Sequence, residues 1–247
     1  MLNAHFFTDI SEHRAQNEDA GGIFYNQTDQ QLLVLCDGMG GHQGGDVASQ
    51  FVTDMLQRRF EDENLIEPQQ AETWLRKQLQ DINRLLYRKA EQDVALQGMG
   101  TTCVCALIFD THIVVANIGD SRAYLVNHRE IEQVTHDHSF VNHLVMIGQI
   151  TEEAALTHPQ RNIITKVMGT DKRVVPDVFV KRIKFYDYLL LNSDGLTDYV
   201  GVAEIQDVLN QEAPLEQLGE TLLQRAIDHD AKDNVSFVLA ELGGEKV

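Results

Sequence analysis

The apolar residues of this chain fall mostly into short runs that are separated by turn residues rather than by helices. Runs of this length, bounded by Gly, Asn, Asp or Ser, are typical of β-strands. Because successive runs follow each other closely along the chain, the pattern favours antiparallel pairing of neighbouring strands. The runs read HFFTDI, GGIFYN, QLLVLCD, TTCVCALIFD, HIVVANIGD, RAYLVN, VFVKRIKF, YLLLNSD and NVSFVLAEL.

Three blocks with helical periodicity interrupt the strands. In the first block, Val47, Phe51 and Met55 repeat every four residues. The second carries a leucine and isoleucine stripe within 75–86, and the third spans about 214–230. Such stripes predict amphipathic helices that pack on a sheet. The chain is therefore predicted to be α+β, with helices covering antiparallel sheets, in a single domain over residues 1–247.

The charge of the chain limits its partners. Twenty Lys and Arg stand against 38 Asp and Glu, which gives a formal charge of −18. A surface this acidic disfavours nucleic acid and anionic membranes. No apolar run reaches the about 18 residues of a membrane-spanning helix, and the N-terminal residues lack a signal-peptide pattern. We therefore expect no membrane insertion.

The three cysteines are predicted to be buried thiols. Cys103 and Cys105 are two positions apart on one predicted strand, so their side chains would lie on the same face. This geometry suits a disulfide poorly. Small buried thiols behave as hydrophobic residues. This usage fits a protein of the reducing cytoplasm.

Four aspartates flank apolar runs, and two of them precede glycine. A single aspartate before glycine is explained by a turn, in which Asp binds its own backbone. Several carboxylates at strand ends indicate a cluster instead, whose repulsion a cation would relieve. The four are Asp37, Asp120, Asp194 and Asp233. For Asp120 the turn interpretation, with contacts to the backbone of the next two residues, stays open.

Oxygen ligands alone suit hard cations such as Mg²⁺, Mn²⁺ or Ca²⁺. The calcium-loop pattern and paired Cys or His spacings for zinc are absent from the sequence. A pair of ions bridged by an aspartate can activate water and hold a phosphoryl group. Arg14 is a candidate phosphate ligand, with a surface ion pair to Glu18 as the alternative.

The segment 135–169 differs from the rest of the chain. It holds four of the ten histidines and shows only broken periodicity, which predicts short helices and loop. Long irregular segments in compact domains are often lids or binding loops. A surface excursion with solvated histidines is the alternative.

The ordered motifs of the chain resemble those of the metal-dependent serine/threonine protein phosphatases of type 2C, in their compact bacterial branch. The resemblance covers almost the whole length and implies a four-layer α-β-β-α sandwich, with the metals at one end of two central antiparallel sheets. The motifs are TDISEHRAQNED, CDGMGGH, GTT, IGDSRAY, HPQRNIITKVMG, LLLNSDGLTD and DNVSFVL.

The resemblance also implies roles for individual residues. Two Mg²⁺ or Mn²⁺ ions would be tightly bound and a third more weakly, and residues 135–169 would form a flap near them. Arg14 would grip the substrate phosphate. The implied ligands are Asp37 as the bridge, the carbonyl of Gly38, Asp194 and Asp233, with Glu18 and Asp19 acting through water and Asp120 joining Asp194 at the third ion.

The chain departs from animal members of this family at one position. Met39 stands where they carry a histidine proposed as general acid. His42, three residues later, is one candidate for this role, and a metal-bound water is another.

The implied reaction is direct attack, on the phosphorus of phosphoserine or phosphothreonine, of a water that bridges the two ions. Phosphoproteins would be the substrates, among them a bacterial serine/threonine kinase and its targets, with a monomer as the expected state.

Three other functions are weighed against this one. A cysteine-dependent phosphatase needs Arg six residues after its Cys, and His42, Phe109 and Thr111 occupy those positions. The glycine-rich stretch fails both nucleotide-loop patterns. A non-enzymatic protein with the same fold would have lost metal ligands, whereas the implied set is complete.

Overall fold

A computed structural model describes residues 2–39 and 44–243. The described residues form eleven strands. The apolar runs form strands rather than helices because they are short, end at turns and, in the central strands, are buried along almost their whole length. The strands are β1 (Ala4–Asp9), β2 (Asp19–Tyr25), β3 (Gln31–Met39), β4 (Gly100–Thr101), β5 (Cys103–Ile108), β6 (His112–Ile118), β7 (Arg122–Val126), β8 (Ile131–Gln133), β9 (Asp177–Arg182), β10 (Tyr188–Asn192) and β11 (Val235–Glu241).

The helices lie where the periodic blocks predicted them, with shorter ones added. Pro68 begins the longest helix, where its missing N–H costs no hydrogen bond. A short 3₁₀ helix spans Val94–Leu96. The α-helices are α1 (Gly45–Glu61), α2 (Pro68–Gln92), α3 (Phe140–Met146), α4 (Glu152–Leu156), α5 (Asp194–Thr197), α6 (Val202–Leu209) and α7 (Leu215–Asp228).

The strands form two antiparallel sheets. One has the order β1-β11-β10-β7-β8, so the first and last strands of the chain are neighbours. The other has the order β2-β3-β5-β6-β9, with β4 paired to the end of β3. In both sheets, residues far apart in sequence meet in direct register, as Phe6 does with Val238.

Three apolar layers hold the sandwich together. Along β3, Leu32 and Val34 face the layer shared with α1 and α2, while Leu33 and Leu35 face the layer between the sheets. A third layer lies between helices α6 and α7 and the sheet that contains β7, β10 and β11. Because β3 is buried on both faces, its sequence is a continuous apolar run rather than an alternating one. The predicted four-layer α-β-β-α fold is confirmed.

Two strand boundaries differ from the sequence prediction. The strand predicted to end at Asp37 continues to Met39, because Gly38 and Met39 pair with Thr101 and Gly100 of β4. This pairing partner lies about sixty residues away, so no local pattern announces it.

The strand predicted to end at Asp194 stops at Asn192 instead, and Asp194 begins the short helix α5.

The three cysteines are free and buried, as predicted. Among the residues that the structure describes, no helix has the length and apolar character needed to cross a membrane.

Candidate active site

Five aspartates from separate parts of the chain lie at one end of the sandwich. Each retains some solvent exposure. Their mutual charge interactions show that they are close together, since the charges of the other four raise the pKa of Asp37. They are Asp19 at the start of β2, Asp37 near the end of β3, Asp120 in the β6–β7 turn, Asp194 at the start of α5 and Asp233 just before β11.

Asp37 is central to this group. It lies directly opposite Asp19 in the register of β2 and β3. Burial is the largest cause of its pKa being raised well above the usual range, followed by the charges of Asp19 and Asp194. The side chain of Asp37 in turn lies close enough to Asp194 to lower the pKa of that carboxyl group.

The neighbouring carboxyl groups are perturbed in the same direction. Burial raises the pKa of Asp19 to about 7, against hydrogen bonds from Ser236 and Ser193 that lower it. Burial and the charge of Asp194 raise the pKa of Asp120 to about 7. Burial and the charge of Asp198 raise the pKa of Asp194 to about 6. Positive charge placed among these carboxyl groups would offset the causes of these shifts.

Glycine after each of two aspartates permits close approach of the backbones. A Cβ atom at Gly38 would lie 2.2 Å from the carbonyl oxygen of Gly45 and 2.5 Å from that of Glu18. A Cβ atom at Gly195 would lie 1.9 Å from the carbonyl oxygen of Asn234. The Asp-Gly pattern therefore reflects packing at the site as well as turn geometry.

Asn234 joins the N-terminal segment to the site, a role that sequence reasoning missed. Its side-chain oxygen accepts from the backbone N–H of Glu18 at 2.8 Å. Its side-chain nitrogen donates to the carbonyl oxygens of Ile10 at 2.8 Å and Gln16 at 3.1 Å. The residue is buried, so this amide fixes the loop that carries Arg14 and Glu18. The motif DNVSFVL held the only sequence indication.

The GTT motif fixes the backbone of Asp37. The hydroxyl of Thr102 accepts from the backbone N–H of Asp37 at 2.9 Å. The backbone N–H of Thr102 donates in turn to the carbonyl of Asp37 at 2.8 Å. The hydroxyl of Thr101 donates to the same carbonyl at 2.9 Å. The motif was recognised from the sequence, but these contacts were not predicted.

Arg14 pairs with Asp233 rather than with Glu18. Its Nη2 donates to Asp233 Oδ2 at 2.5 Å, and its Nε donates to the carbonyl of Lys232 at 3.2 Å. Both side chains are about two-fifths exposed, at 42% and 38%, so Arg14 lies at the open rim of the site. Glu18 accepts instead from Gln16 at 3.1 Å.

The aspartate cluster presents oxygen donors of the kind that divalent cations bind. Over residues 2–39 and 44–243, no three His, Cys, Asp or Glu side chains already converge as a ligand group for one ion. The chemistry of the cluster nevertheless fits hard cations, because its donors are half-buried carboxylate oxygens whose charges repel each other. One of them, Asp233, is paired with Arg14.

The structure describes the predicted segment 135–169 but not the candidate general acid His42. His42 lies outside the described residues. Segment 135–169 consists of α3, α4 and loops, as predicted. It reaches the site through Met168, which bridges to Thr101 in both directions, at 3.1 Å and 2.9 Å.

Comparisons with known proteins identify the family of the chain. The sequence model of the family described as Protein phosphatase 2C matches residues 11–240. A serine/threonine phosphatase stp of Listeria welshimeri is 38% identical over 241 residues, covering 97% of this chain and 96% of the relative. The crystal structure of the serine/threonine phosphatase Stp1 of Staphylococcus aureus is 66% identical, covers 99% of this chain and 96% of that chain, and has a TM-score of 0.97.

A more distant structure bears on the metals. The catalytic domain of the serine/threonine protein phosphatase PstP was solved in complex with two manganese ions. It is 32% identical, with 97% of each chain covered and a TM-score of 0.83. On its family match and the extent of these similarities, the chain belongs to the protein phosphatase 2C family and is a phosphoprotein phosphatase, a hydrolase.

Proposed function

We propose that this enzyme hydrolyses phosphoserine and phosphothreonine in proteins with two divalent cations, Mn²⁺ or Mg²⁺. The observation that supports this most is the cluster of carboxyl groups around Asp37, in which burial and neighbouring charges raise the pKa of Asp19, Asp37, Asp120 and Asp194. Such a group is costly for the fold unless cations occupy it. A phosphatase of this family offers a direct reason for the arrangement.

The proposed ligands are Asp37, shared between the two ions, with the carbonyl of Gly38, Asp194 and Asp233. Glu18 and Asp19 would act through water. When bound, the two ions would lower the pKa of a water molecule between them for attack on phosphorus, and would neutralise the phosphate oxygens. No covalent intermediate with the protein is proposed.

The residues of the chain supply binding and orientation. Arg14, at the rim, would bind two oxygens of the substrate phosphate through its guanidinium. Its present partner, Asp233, would then turn to a cation. Ser193 donates to Asp19 Oδ2 at 3.0 Å, which orients that carboxylate toward the cluster. For the proton that the leaving oxygen needs, His42 or a water molecule remain the two candidates.

Asp120 is proposed to bind a third, weaker cation together with Asp194. The charge of Asp194 is the largest cause, after burial, of the raised pKa of Asp120. This proximity supports a shared ion. Few protein ligands and many waters would make that ion weak.

Further proposals concern the setting of the enzyme. We propose a single catalytic domain over 1–247, a flap at about 135–169, a monomeric state, and phosphoproteins as substrates, including a bacterial serine/threonine kinase and its targets. The three buried free thiols favour the cytoplasm.

A panel of phosphoserine, phosphothreonine and phosphotyrosine peptides tests the proposal, assayed with Mn²⁺, with Mg²⁺ and with excess chelator. We expect release of phosphate from the first two only when a cation is present. Full activity in chelator would exclude the two-ion reaction. No activity under any condition, with cation binding retained, would favour a non-enzymatic binding protein.

A further inference from the structure

His138 connects the proposed flap to the turn that carries Asp120. Its Nδ1 lies 2.9 Å from the backbone nitrogen of Gly119, and its own N–H donates to the carbonyl of Gly119 at 3.0 Å. One residue thus holds both backbone polar groups of Gly119, the N–H of the Ile118–Gly119 peptide and the carbonyl of the Gly119–Asp120 peptide. The side chain is only 10% exposed, so water offers little replacement for these bonds.

The geometry selects one tautomer of this histidine. A backbone N–H only donates, so Nδ1 must accept from Gly119 and be unprotonated. The proton of the neutral ring is then on Nε2, which donates to Asp177 Oδ2 at 3.1 Å. Lys166 Nζ lies 2.9 Å from the same ring nitrogen and donates to Asp177 Oδ1 at 2.9 Å. Burial lowers the pKa of His138, which favours the neutral ring.

The backbone at Gly119 is also confined on the side that faces Thr102. Gly119 has a φ of +108°, and a Cβ atom there would lie 2.5 Å from Thr102 Cγ2. Thr102 also accepts from the N–H of Asp37 and bonds to Ser121 at 2.6 Å. The turn that carries Asp120 therefore packs between Thr102, which also binds the backbone of Asp37, and the ring of His138.

We infer that His138 is a positioning residue for Asp120, whose Nδ1 fixes the Gly119 peptide and thereby the direction of the carboxylate that would bind the third cation. The inference rests on the proposed third ion. His138 itself does not touch that ion or the substrate. Asp177 supports it by holding the ring in the required tautomer.

Two substitutions separate this role from general packing. In His138→Asn, the amide oxygen can take the place of the Nδ1 acceptor. In His138→Gln, the polar atoms reach the place of Nε2 and leave Gly119 without an acceptor. His136→Asn is the matched control, because the His136 ring packs on Phe179 and lies in the same loop.

The first measurement is calorimetric titration of metal-stripped protein with Mn²⁺. We expect His138→Gln to weaken the weak phase of binding by about tenfold, as expected from the loss of one hydrogen bond, while the two tight ions bind as in the wild type. Asp120→Asn should remove the same phase. His138→Asn and His136→Asn should resemble the wild type.

An unchanged weak phase in His138→Gln, or an equal loss of that phase in His136→Asn, overturns the inference. A weak phase that survives Asp120→Asn overturns both the inference and the third-ion proposal.

Amide hydrogen exchange at Gly119, without metal, supplies an independent readout. Exchange should be at least about tenfold faster in His138→Gln than in the wild type or His138→Asn. Faster exchange with an intact weak phase would mean that the hydrogen bond exists but does not position an ion ligand, which also rejects the inference. If His138→Gln lowers the melting temperature by more than about 5 °C, Asp177→Ala, which frees the ring tautomer, replaces it in both measurements.

Discussion

Asp19 and Asp37 lie directly opposite each other on the antiparallel strands β2 and β3. Side chains in this relation have Cβ atoms about 4.5–5.5 Å apart, so two carboxylates face each other across one strand pair. The charge of Asp19 is the largest cause, after burial, of the raised pKa of Asp37. The metal-free fold therefore contains a built-in repulsion that protons or cations relieve.

This repulsion makes the stability of the metal-free protein depend on pH. Burial raises the pKa of Asp19 from 3.8 to about 7, so between these values the folded state binds more protons than the unfolded state. Its contribution to stability is then lost as pH rises from about 4 to about 7. We expect Asp19→Asn to raise the free energy of unfolding of chelated protein at pH 7.5 by about 1–4 kcal/mol, and by much less at pH 4.5.

Denaturant unfolding of both proteins at the two pH values, in excess chelator, measures this effect. Saturating Mn²⁺ should stabilise the wild type more than Asp19→Asn at pH 7.5, because the ion relieves the same repulsion. An equal effect of the substitution at both pH values would contradict the explanation.

Loss of one proposed ligand charge at Asp194 should abolish most activity. Asp194 lies close to Asp37 and Asp233, so a neutral amide there would empty or distort an ion site. We expect Asp194→Asn to lower kcat/KM for a phosphothreonine peptide by at least about 10²-fold. The matched control is Asp207→Asn, an exposed position on α6. Wild-type activity in Asp194→Asn, at limiting Mn²⁺, would remove Asp194 from the ligand set.

Arg14 should contribute to substrate binding more than to turnover. A guanidinium binds a phosphate alike in the ground state and the transition state, so its removal raises KM. We expect Arg14→Ala to raise KM for a small aryl phosphate about tenfold, with a smaller change in kcat. Arg129→Ala, in the exposed β7–β8 turn, serves as the control. An unchanged KM would show that Arg14 does not bind the phosphate.

The contact between Gly195 and Asn234 should tolerate no side chain. A Cβ atom at Gly195 would lie 1.9 Å from the carbonyl oxygen of Asn234, so the backbones of α5 and β11 must separate to admit it. We expect Gly195→Ala to destabilise the fold by about 1–3 kcal/mol or more and to lower activity, since Asp194 and Asp233 flank the contact. Gly201→Ala is the control, because a Cβ atom there meets open space. Equal stability of the two variants in urea would refute this assignment.

Much of the fold was predictable from the sequence because its determinants are local. The continuous apolar run at 32–36 has the length of a strand, and the stripe of 75–86 has the period of a helix. Each pattern reports which faces of an element are buried. The motifs added the order of the layers, since their resemblance covers almost the whole chain.

The candidate ligands were also predictable one at a time. Asp37 and Asp194 are each followed by glycine, and Asp120 and Asp233 flank apolar runs, which local reading detects. Nothing local, however, places Asp19 opposite Asp37 or extends β3 to Met39, because both depend on strand register. Register is set by the packing of whole sheets rather than by any one segment.

The sequence by itself determined the elements, the acidic residues at their ends and the family. Only the tertiary structure decided which of these residues meet. The Arg14 pairing with Asp233 spans 219 positions, and the bond from Glu18 to Asn234 spans 216. The first and last strands are neighbours in one sheet, and this closure brings the two ends of the chain to the site. Such contacts arise from the folded sheet order, so the periodicity of either segment carries no trace of them.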